Sequence, residues 1–196
     1  EHGDHIKGVG PFARKYKLPV YLTHGTAQYP SLGKIAELNT INIHQPFSIA
    51  DIETTPVTVP HDAREPCQFV FHHQKKRVGL LTDLGSITPH VIEQYQHCDA
   101  LMLECNHCPQ LLAMGPYPPS LKHRVGGHWG HLSNHQAANL LDSIEHQRLQ
   151  HLVISHISEQ NNTEALARTA IEAVFGQQES LILANQDQGI DWLSVS

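Results

Sequence analysis

The first five residues combine side chains that bind metal ions. Glu1-His2-Gly3-Asp4-His5 supplies two imidazoles and an aspartate within five positions. Neutral imidazole together with carboxylate favours zinc, manganese or iron over calcium. The tight spacing predicts a loop folded around a cation, after which Asp4 and His5 open the first helix. The alternative is that these side chains form only a solvated terminus and a helix cap.

Four further polar residues lie directly after apolar segments or at predicted helix starts. In α/β folds, ligand-binding groups gather at such positions because they border the ends of the strands. These residues are therefore candidates for the same site as the N-terminal cluster, although they are far apart in the sequence. They are His61, Asp83, His131 and His156.

Histidine is unusually frequent, with 17 histidines against 13 lysines and arginines, scattered along the chain. Histidine is the commonest metal ligand and titrates near neutral pH, so the composition indicates a metal site or a proton-handling site. The net charge of -6 argues against a nucleic-acid binder that depends on a basic surface. Nucleic acid stays open as a substrate, because bound cations would reverse the local charge. No apolar run is long enough to predict a membrane span.

Four cysteines do not make a disulfide framework for a chain of 196 residues, which can build a core without such links. Free thiols indicate a reducing compartment, and we expect a cytoplasmic protein. Cys105 and Cys108 have the spacing of a zinc knuckle or redox pair, but no second cysteine pair completes such a site. A zinc-stabilised binding module, in which both cysteines join histidines, is therefore an alternative to an enzyme.

Apolar patterning predicts one α/β domain that is rich in strands early and alternates strand and helix after Asp83. Ser133 is expected to cap a helix, and Asn162 or Thr163 to cap the last one, with Leu166 facing inward and Gly176 as its end. The predicted helices also include 6–17 and 91–95. Strands are predicted at 19–23, 49–52, 57–59, 69–71, 78–81, 100–103, 151–155, 181–183 and 192–195.

Several segments together resemble the motifs of the metallo-β-lactamase-fold hydrolases. Residues 1–5 are similar to the end of a His-x-His-x-Asp-His motif. Three later segments follow in the family's order: Pro60-His61-Asp62-Ala63, Leu81-Thr82-Asp83-Leu84-Gly85 and Ser155-His156-Ile157-Ser158. Further segments resemble the YycJ/WalJ-like nuclease branch: Glu104-Cys105-Asn106-His107, Gly130-His131-Leu132-Ser133-Asn134 and HISEQNN at 156–162.

The resemblance implies an αββα four-layer sandwich, with residues 1–196 forming one hydrolase domain. The family motif begins with a histidine two positions before His2, and the family domain opens with several strands before that motif. We therefore expect that the N-terminal part of the domain, including its first strands, is not included in this sequence.

The resemblance also implies a pair of divalent metal ions, zinc or manganese or iron, that activates a bridging hydroxide. One ion would be held by the upstream histidine, His2 and His61. The other would be held by Asp4, His5 and His156, with Asp83 bridging the two, so these side chains should converge in space. Asp4 and His131 are the catalytic candidates: Asp4 would orient the attacking water, and His131 would protonate the leaving oxygen. His107 and Asn134 are candidate substrate contacts.

The function implied is a metal-dependent phosphodiesterase, specifically a DNA exonuclease, with DNA favoured over RNA and no membrane partner. Another hydrolase on the same fold, a thioesterase of the glyoxalase II type or a lactam hydrolase, is the alternative enzyme class. The branch segments at 104–107 and 130–134 argue against that alternative.

Overall fold

Residues 1–196 are described by a computed structural model, in which nine strands and seven helices form the fold. The strands are β1 (Val20–Thr23), β2 (Leu38–Ile41), β3 (Phe47–Ile49), β4 (Ile52–Thr58), β5 (Cys67–His73), β6 (Lys76–Leu81), β7 (Ala100–Glu104), β8 (His151–Ser155) and β9 (Leu181–Leu183). The helices are α1 (Gly3–Tyr16), α2 (His24–Ala27), α3 (Pro89–Gln94), α4 (Pro109–Met114), α5 (Pro119–Val125), α6 (Asn134–Ser143) and α7 (Glu164–Phe175), with a 3₁₀ turn at Pro30–Leu32.

Strands β3 to β9 form a single mixed sheet in chain order, and β1 pairs with β2 in a small parallel sheet. The strands from β3 to β6 are antiparallel, whereas β6, β7, β8 and β9 are parallel neighbours joined through helices. The carboxyl ends of β6, β7 and β8 therefore meet at one edge. Their register aligns Leu81 with Leu103, and Glu104 with Ser155.

One continuous buried core connects the sheet to α3, α6 and α7. Leu101 and Leu103 are almost fully buried, and burial of one such side chain stabilises the fold by about 1.5–3 kcal/mol. Tyr95 lies so close to β6 that a Cβ added at Gly79 would lie 2.8 Å from its ring. The Tyr95 hydroxyl donates a hydrogen bond to the Leu80 carbonyl at 2.7 Å, so this tyrosine fixes α3 on the sheet.

The opposite face of the sheet is turned towards α1 and the β1–β2 pair. A shallow apolar groove lies between them, lined by Phe12, Tyr21, Phe69 and Phe71 among others. Tyr21 stacks on Phe47 with 5.4 Å between ring centroids. The fold thus has three layers. Helices α3, α6 and α7 form the first, the large sheet forms the second, and the small sheet with α1 forms the third.

The predicted helix caps are confirmed. Ser133 forms a reciprocal capping box with Gln136, Thr163 caps α7, and α7 ends at Gly176 with a φ of 78°. Leu166, predicted to face inward, is 41% exposed, and its neighbour Ala167 is buried instead.

Three predicted segments differ from the structure. The segment 49–52 is not a strand but the hairpin turn between β3 and β4, with Ala50 at a φ of 53°. Residues 192–195 form no strand, and the Trp192 side chain is fully exposed. The N-terminal segment is not a loop, because α1 begins at Gly3 with His2 as its N-cap. His2 and His5 can still face one point, since residues three apart lie on the same side of a helix.

Candidate metal centre

The ends of three adjacent strands position the centre. Asp83 follows β6, Glu104 is the last residue of β7, and His156 follows β8. Asp83 and His156 have φ angles of 55° and 54°, in the left-handed region that non-glycine residues rarely occupy. Such strain persists where the surrounding structure enforces it, and it concentrates at functional sites. Here it occurs at the two strand ends that carry candidate ligands.

Asp83 is the central carboxylate of the cluster. Its Oδ2 atom lies 3.2 Å from His5 Nε2. Its Oδ1 atom lies 3.7 Å from His156 Nε2 and 3.8 Å from His61 Nε2. Oδ1 thus lies near one imidazole from each side of the cluster and Oδ2 near His5, so the carboxylate contacts both candidate ion sites.

On one side of Asp83, His2 and His61 approach each other, with 3.1 Å between His2 Nδ1 and His61 Nε2. The His61 Nδ1–H donates to the Gly130 carbonyl at 2.9 Å, which leaves the Nε2 lone pair for the site. Asp62 Oδ1 lies 3.2 Å from His2 Nε2, and Arg124 pairs with Asp62. Asp62 and Arg124 have no role in the sequence-based prediction, and Arg124 is 62 positions from its partner.

On the other side of Asp83 lie Asp4, His5 and His156. Asp4 Oδ2 is 3.7 Å from His156 Nε2 and 3.6 Å from His5 Nε2. The structure thus brings together all six predicted ligand residues, namely His2, Asp4, His5, His61, Asp83 and His156.

Glu104 is the buried hydrogen-bond acceptor beneath the site, and sequence reasoning assigned it no role. Its Oε2 accepts from His156 Nδ1 at 2.7 Å, His131 Nδ1 at 3.0 Å and the Asp83 backbone N–H at 3.0 Å. Its Oε1 accepts from the Leu132 N–H at 2.7 Å. With its oxygens occupied in this way, Glu104 positions the two rings rather than binding an ion. Its place at the end of a buried strand was the signal that could have identified it.

The contacts of Glu104 also determine the protonation pattern of both rings. A carboxylate only accepts hydrogen bonds, so His131 and His156 each carry a proton on Nδ1. In the neutral ring, Nε2 is left with its lone pair facing the cluster. Carboxylate–histidine pairs of this kind orient the ring of a metal-binding histidine and raise its basicity.

Opposing effects set the pKa values at the centre. Burial lowers the pKa of His156, but the hydrogen bond to Glu104 and the nearby Asp83 carboxylate outweigh burial and raise it to about 9. The Asp83 carboxylate, 3.2 Å away, likewise raises the pKa of His5. Burial raises the pKa of Asp83, yet the His5 and His156 rings hold it well below its usual value. The metal-free site therefore holds bound protons at neutral pH.

These residues fit a pair of divalent ions. The donors are imidazole nitrogens and carboxylate oxygens, the set that suits zinc, manganese or iron. Asp83 Oδ2 is buried and accepts no hydrogen bond of good geometry, although a buried carboxylate oxygen ordinarily has a partner. A cation bound beside His5 would give this oxygen a partner.

His131 lies between the two sides of the cluster. Its ring centroid is 5.2 Å from the centroids of both His61 and His156. It also lines a polar cleft of about 780 Å³ together with Asp4, His5 and Asn106. A side chain in this position can reach both the ions and a substrate in the cleft.

His107 and Asn134, predicted to contact substrate, do not line that cleft. Both are buried, at 3% and 4% exposure. The Asn134 side chain pairs with Asn162 through two hydrogen bonds of 2.9 and 2.8 Å, so it ties α6 to the start of α7.

The two cysteines of the zinc-knuckle spacing are also separate from the site. Cys105 is fully buried in the core, and the Cys108 thiol contacts Gln110. No candidate metal group contains a cysteine, and all four cysteines are free.

Glu104→Gln tests the positioning role of the buried carboxylate. Since the amide cannot accept all four hydrogen bonds, we expect a loss of about 10–100-fold in metal affinity and activity. Loss of charge-assisted bonds should also lower the free energy of unfolding by about 1.5–3 kcal/mol. Zinc titration and urea denaturation measure the two effects, with the exposed Glu93→Gln on α3 as the matched control. Lower stability with unchanged metal affinity would contradict the positioning role.

Metal affinity should rise with pH. The raised pKa of His156 means that this imidazole is protonated below about 9, whereas a free imidazole is protonated below about 6.5. An ion must displace that proton, so zinc affinity should increase by up to about tenfold per pH unit for each proton released, levelling off near pH 9. Calorimetry in buffers of different ionisation enthalpy measures the proton release. Binding without proton release across this range would count against the arrangement.

Residues 1–157 match the family described as the beta-lactamase superfamily domain. The exodeoxyribonuclease YycJ of Bacillus anthracis is 34% identical over 178 residues, covering 89% of this chain and 67% of that protein. The exodeoxyribonuclease WalJ of Streptococcus pneumoniae is 32% identical over 173 residues, covering 85% of this chain and 64% of that protein. The chain thus spans about two thirds of the length of these relatives.

Among solved structures, the metallo-beta-lactamase fold protein YhfI of Bacillus subtilis superposes with a TM-score of 0.70 at 18% identity. The match covers 98% of this chain and 73% of that protein. This superposition confirms the predicted αββα fold class. Separately, none of the helices has the length and apolar character of a membrane span. This chain therefore belongs to the beta-lactamase superfamily, as a metal-dependent hydrolase related to the YycJ and WalJ exonucleases.

Proposed function

We propose that the protein is a DNA exonuclease that hydrolyses phosphodiesters with the help of two divalent ions. The observation that carries this proposal is the central Asp83, with His2 and His61 on one side and a second donor set on the other. His2 and His61 would hold one ion, and Asp4, His5 and His156 the other, with Asp83 shared. We also propose that residues 1–196 act as one domain, since a single buried core runs through the sheet and its helices.

Two bound ions supply Lewis-acid stabilisation of phosphate oxygens and lower the pKa of water. The chain's own residues then handle the protons. Asp4, 63% exposed at the cleft, accepts a hydrogen bond from the attacking water and orients it. His131 is the proton donor to the leaving oxygen, through its Nε2 atom. The hydrogen bond from His131 Nδ1 to Glu104 fixes the ring and holds Nε2 towards the cleft.

DNA is the favoured substrate because both curated relatives are named exodeoxyribonucleases. The cleft is lined mainly by polar residues such as Asn106 and Ser158, which argues against an apolar acyl substrate. Four free cysteines favour a reducing compartment, so we place the protein in the cytoplasm.

The test is a substrate comparison on the full-length protein loaded with zinc or manganese. We expect it to degrade end-labelled linear DNA but not a covalently closed circle, to hydrolyse bis(p-nitrophenyl) phosphate, and to lose both activities when the ions are chelated. RNA of the same sequence should be cleaved more slowly. Hydrolysis of a glutathione thioester without phosphodiester cleavage would contradict the proposal and favour the glyoxalase II type of activity.

A further inference from the structure

A long acid-free segment borders the candidate metal centre. The chain carries 19 aspartates and glutamates against 13 lysines and arginines, yet residues 105–141 contain none of those acids. The same segment contains Lys122 and Arg124 in the last turn of α5, together with five histidines, namely His107, His123, His128, His131 and His135. In a protein with a net charge of -6, this acid-free segment repels a phosphate chain least, and Lys122 and Arg124 lie there, Arg124 also being paired with Asp62.

The segment displays two large apolar side chains, Met114 and Trp129, and only Trp129 is aromatic. Trp129 is 63% exposed, in the loop between α5 and His131. Its main chain is tied directly to the centre: the Trp129 carbonyl accepts from the Asp62 N–H at 3.0 Å. The next carbonyl, that of Gly130, accepts from His61 Nδ1 at 2.9 Å. The backbone that carries the indole is thus held by the backbone of Asp62 and the ring of His61.

The loop that carries Trp129 is closely packed. A Cβ at Gly130 would lie 2.1 Å from the Arg124 carbonyl oxygen, and a Cβ at Gly85 would lie 2.3 Å from the Gly130 nitrogen. These approaches leave no room for a side chain, so the loop backbone is held against the segment that follows β6. A rigid aromatic platform loses little conformational entropy when it binds a ligand.

We propose that Trp129 stacks on a base of a single-stranded DNA end, while the basic turn of α5 lies along its phosphates. This rests on the proposed exonuclease function and names the form of DNA that the site accepts. Every base presents a π face, so such stacking is tolerant of sequence and contributes affinity from each base that it contacts. The bound strand then runs from the 122–130 surface towards the cleft at His131.

The chain has two tryptophans, so the fluorescence of each can be followed alone once the other is replaced. Trp192 is fully exposed in the C-terminal segment and serves as the control. Trp192→Phe leaves only Trp129 as a fluorophore, and Trp129→Phe leaves only Trp192. With the metal-loaded, full-length protein and a phosphorothioate oligothymidylate that resists cleavage, Trp129 fluorescence should be quenched and Trp192 fluorescence should not. Equal quenching of both, or quenching of Trp192 alone, overturns the proposal.

Kinetics separate this inference from the proposed function. Trp129→Ala should raise the KM for single-stranded DNA by about tenfold or more. The kcat/KM ratio of DNA to bis(p-nitrophenyl) phosphate should fall by about the same factor. Trp129→Phe should restore most of the loss, and Trp192→Ala should leave the ratio unchanged. If Trp129→Ala lowers activity on both substrates equally, or leaves the ratio unaltered, Trp129 does not stack on a base. The proposed function is unaffected by that outcome. If the wild-type protein cleaves neither substrate, the proposed function itself is wrong.

Discussion

His131→Ala is expected to slow cleavage of DNA by about 10²–10⁴-fold while the protein keeps its ions, because removal of a positioned general acid has that cost. His131 reaches the cleft, and Glu104 holds its Nδ1 proton. The defect should be much smaller with bis(p-nitrophenyl) phosphate, since nitrophenolate leaves without needing a proton. Steady-state kinetics on both substrates, with metal analysis of each variant, measures this.

The matched control for that experiment is His135→Ala, an exposed histidine in the first turn of α6. It should leave cleavage and metal content unaltered. His131 Nδ1 lies 3.9 Å from Asp83 Oδ1, close enough to make a ligand role the competing assignment. Loss of an ion in parallel with loss of activity, or an equal defect on both substrates, would contradict the proton-donor role.

Asp83→Asn is expected to remove both ions from the centre and to lower phosphodiesterase activity by about 10³-fold or more. A bound ion contributes several kcal/mol of transition-state stabilisation, and each 1.36 kcal/mol is about a factor of ten in rate. Asp83 Oδ2 lies 3.2 Å from His5 Nε2 and Oδ1 lies 3.8 Å from His61 Nε2, so this carboxylate contacts candidate ligands of both halves.

Metal analysis of the purified Asp83→Asn protein measures the loss of ions. The control is Asp142→Asn, on the exposed side of α6. Circular dichroism confirms that the variant is folded. A folded Asp83→Asn protein that retains two ions and near wild-type activity would show that this carboxylate is not shared between them.

The residues at strand ends were predictable from the sequence because apolar runs mark the strands. Asp83 and His156 each follow such a run, and parallel strands bring their carboxyl ends to one edge. The family resemblance supplied the pairing of these positions with His61 and the N-terminal cluster. The strand topology then explains how side chains as distant as His5 and His156 meet.

The positioning residues were not predictable in the same way. Glu104 lies 27 and 52 positions from the two histidines that it holds, and only the folded sheet places them together. Its place at the end of a buried strand marks Glu104 as a candidate, but only tertiary contacts determine which side chains it holds. Tertiary contacts likewise pair Arg124 with Asp62, 62 positions apart.

Short helices were missed for a different reason. Helices α4 and α5 have six and seven residues, too few to show an amphipathic period. Each has a proline in its first turn, at Pro109 and Pro119, which is a start signal but not sufficient evidence of a helix. At the N-terminus, the separation of His2 and His5 suits the first turn of a helix, so a loop prediction from close spacing alone was wrong.

An anomalous-scattering map of crystals of the full-length protein, grown with zinc or manganese, tests the dinuclear centre most directly. Two peaks are expected on either side of Asp83, one beside His2 and His61 and the other among Asp4, His5 and His156. Such ion pairs are typically about 3.5–4 Å apart. A single peak, or a peak at Cys105 and Cys108, would contradict a two-metal hydrolytic centre.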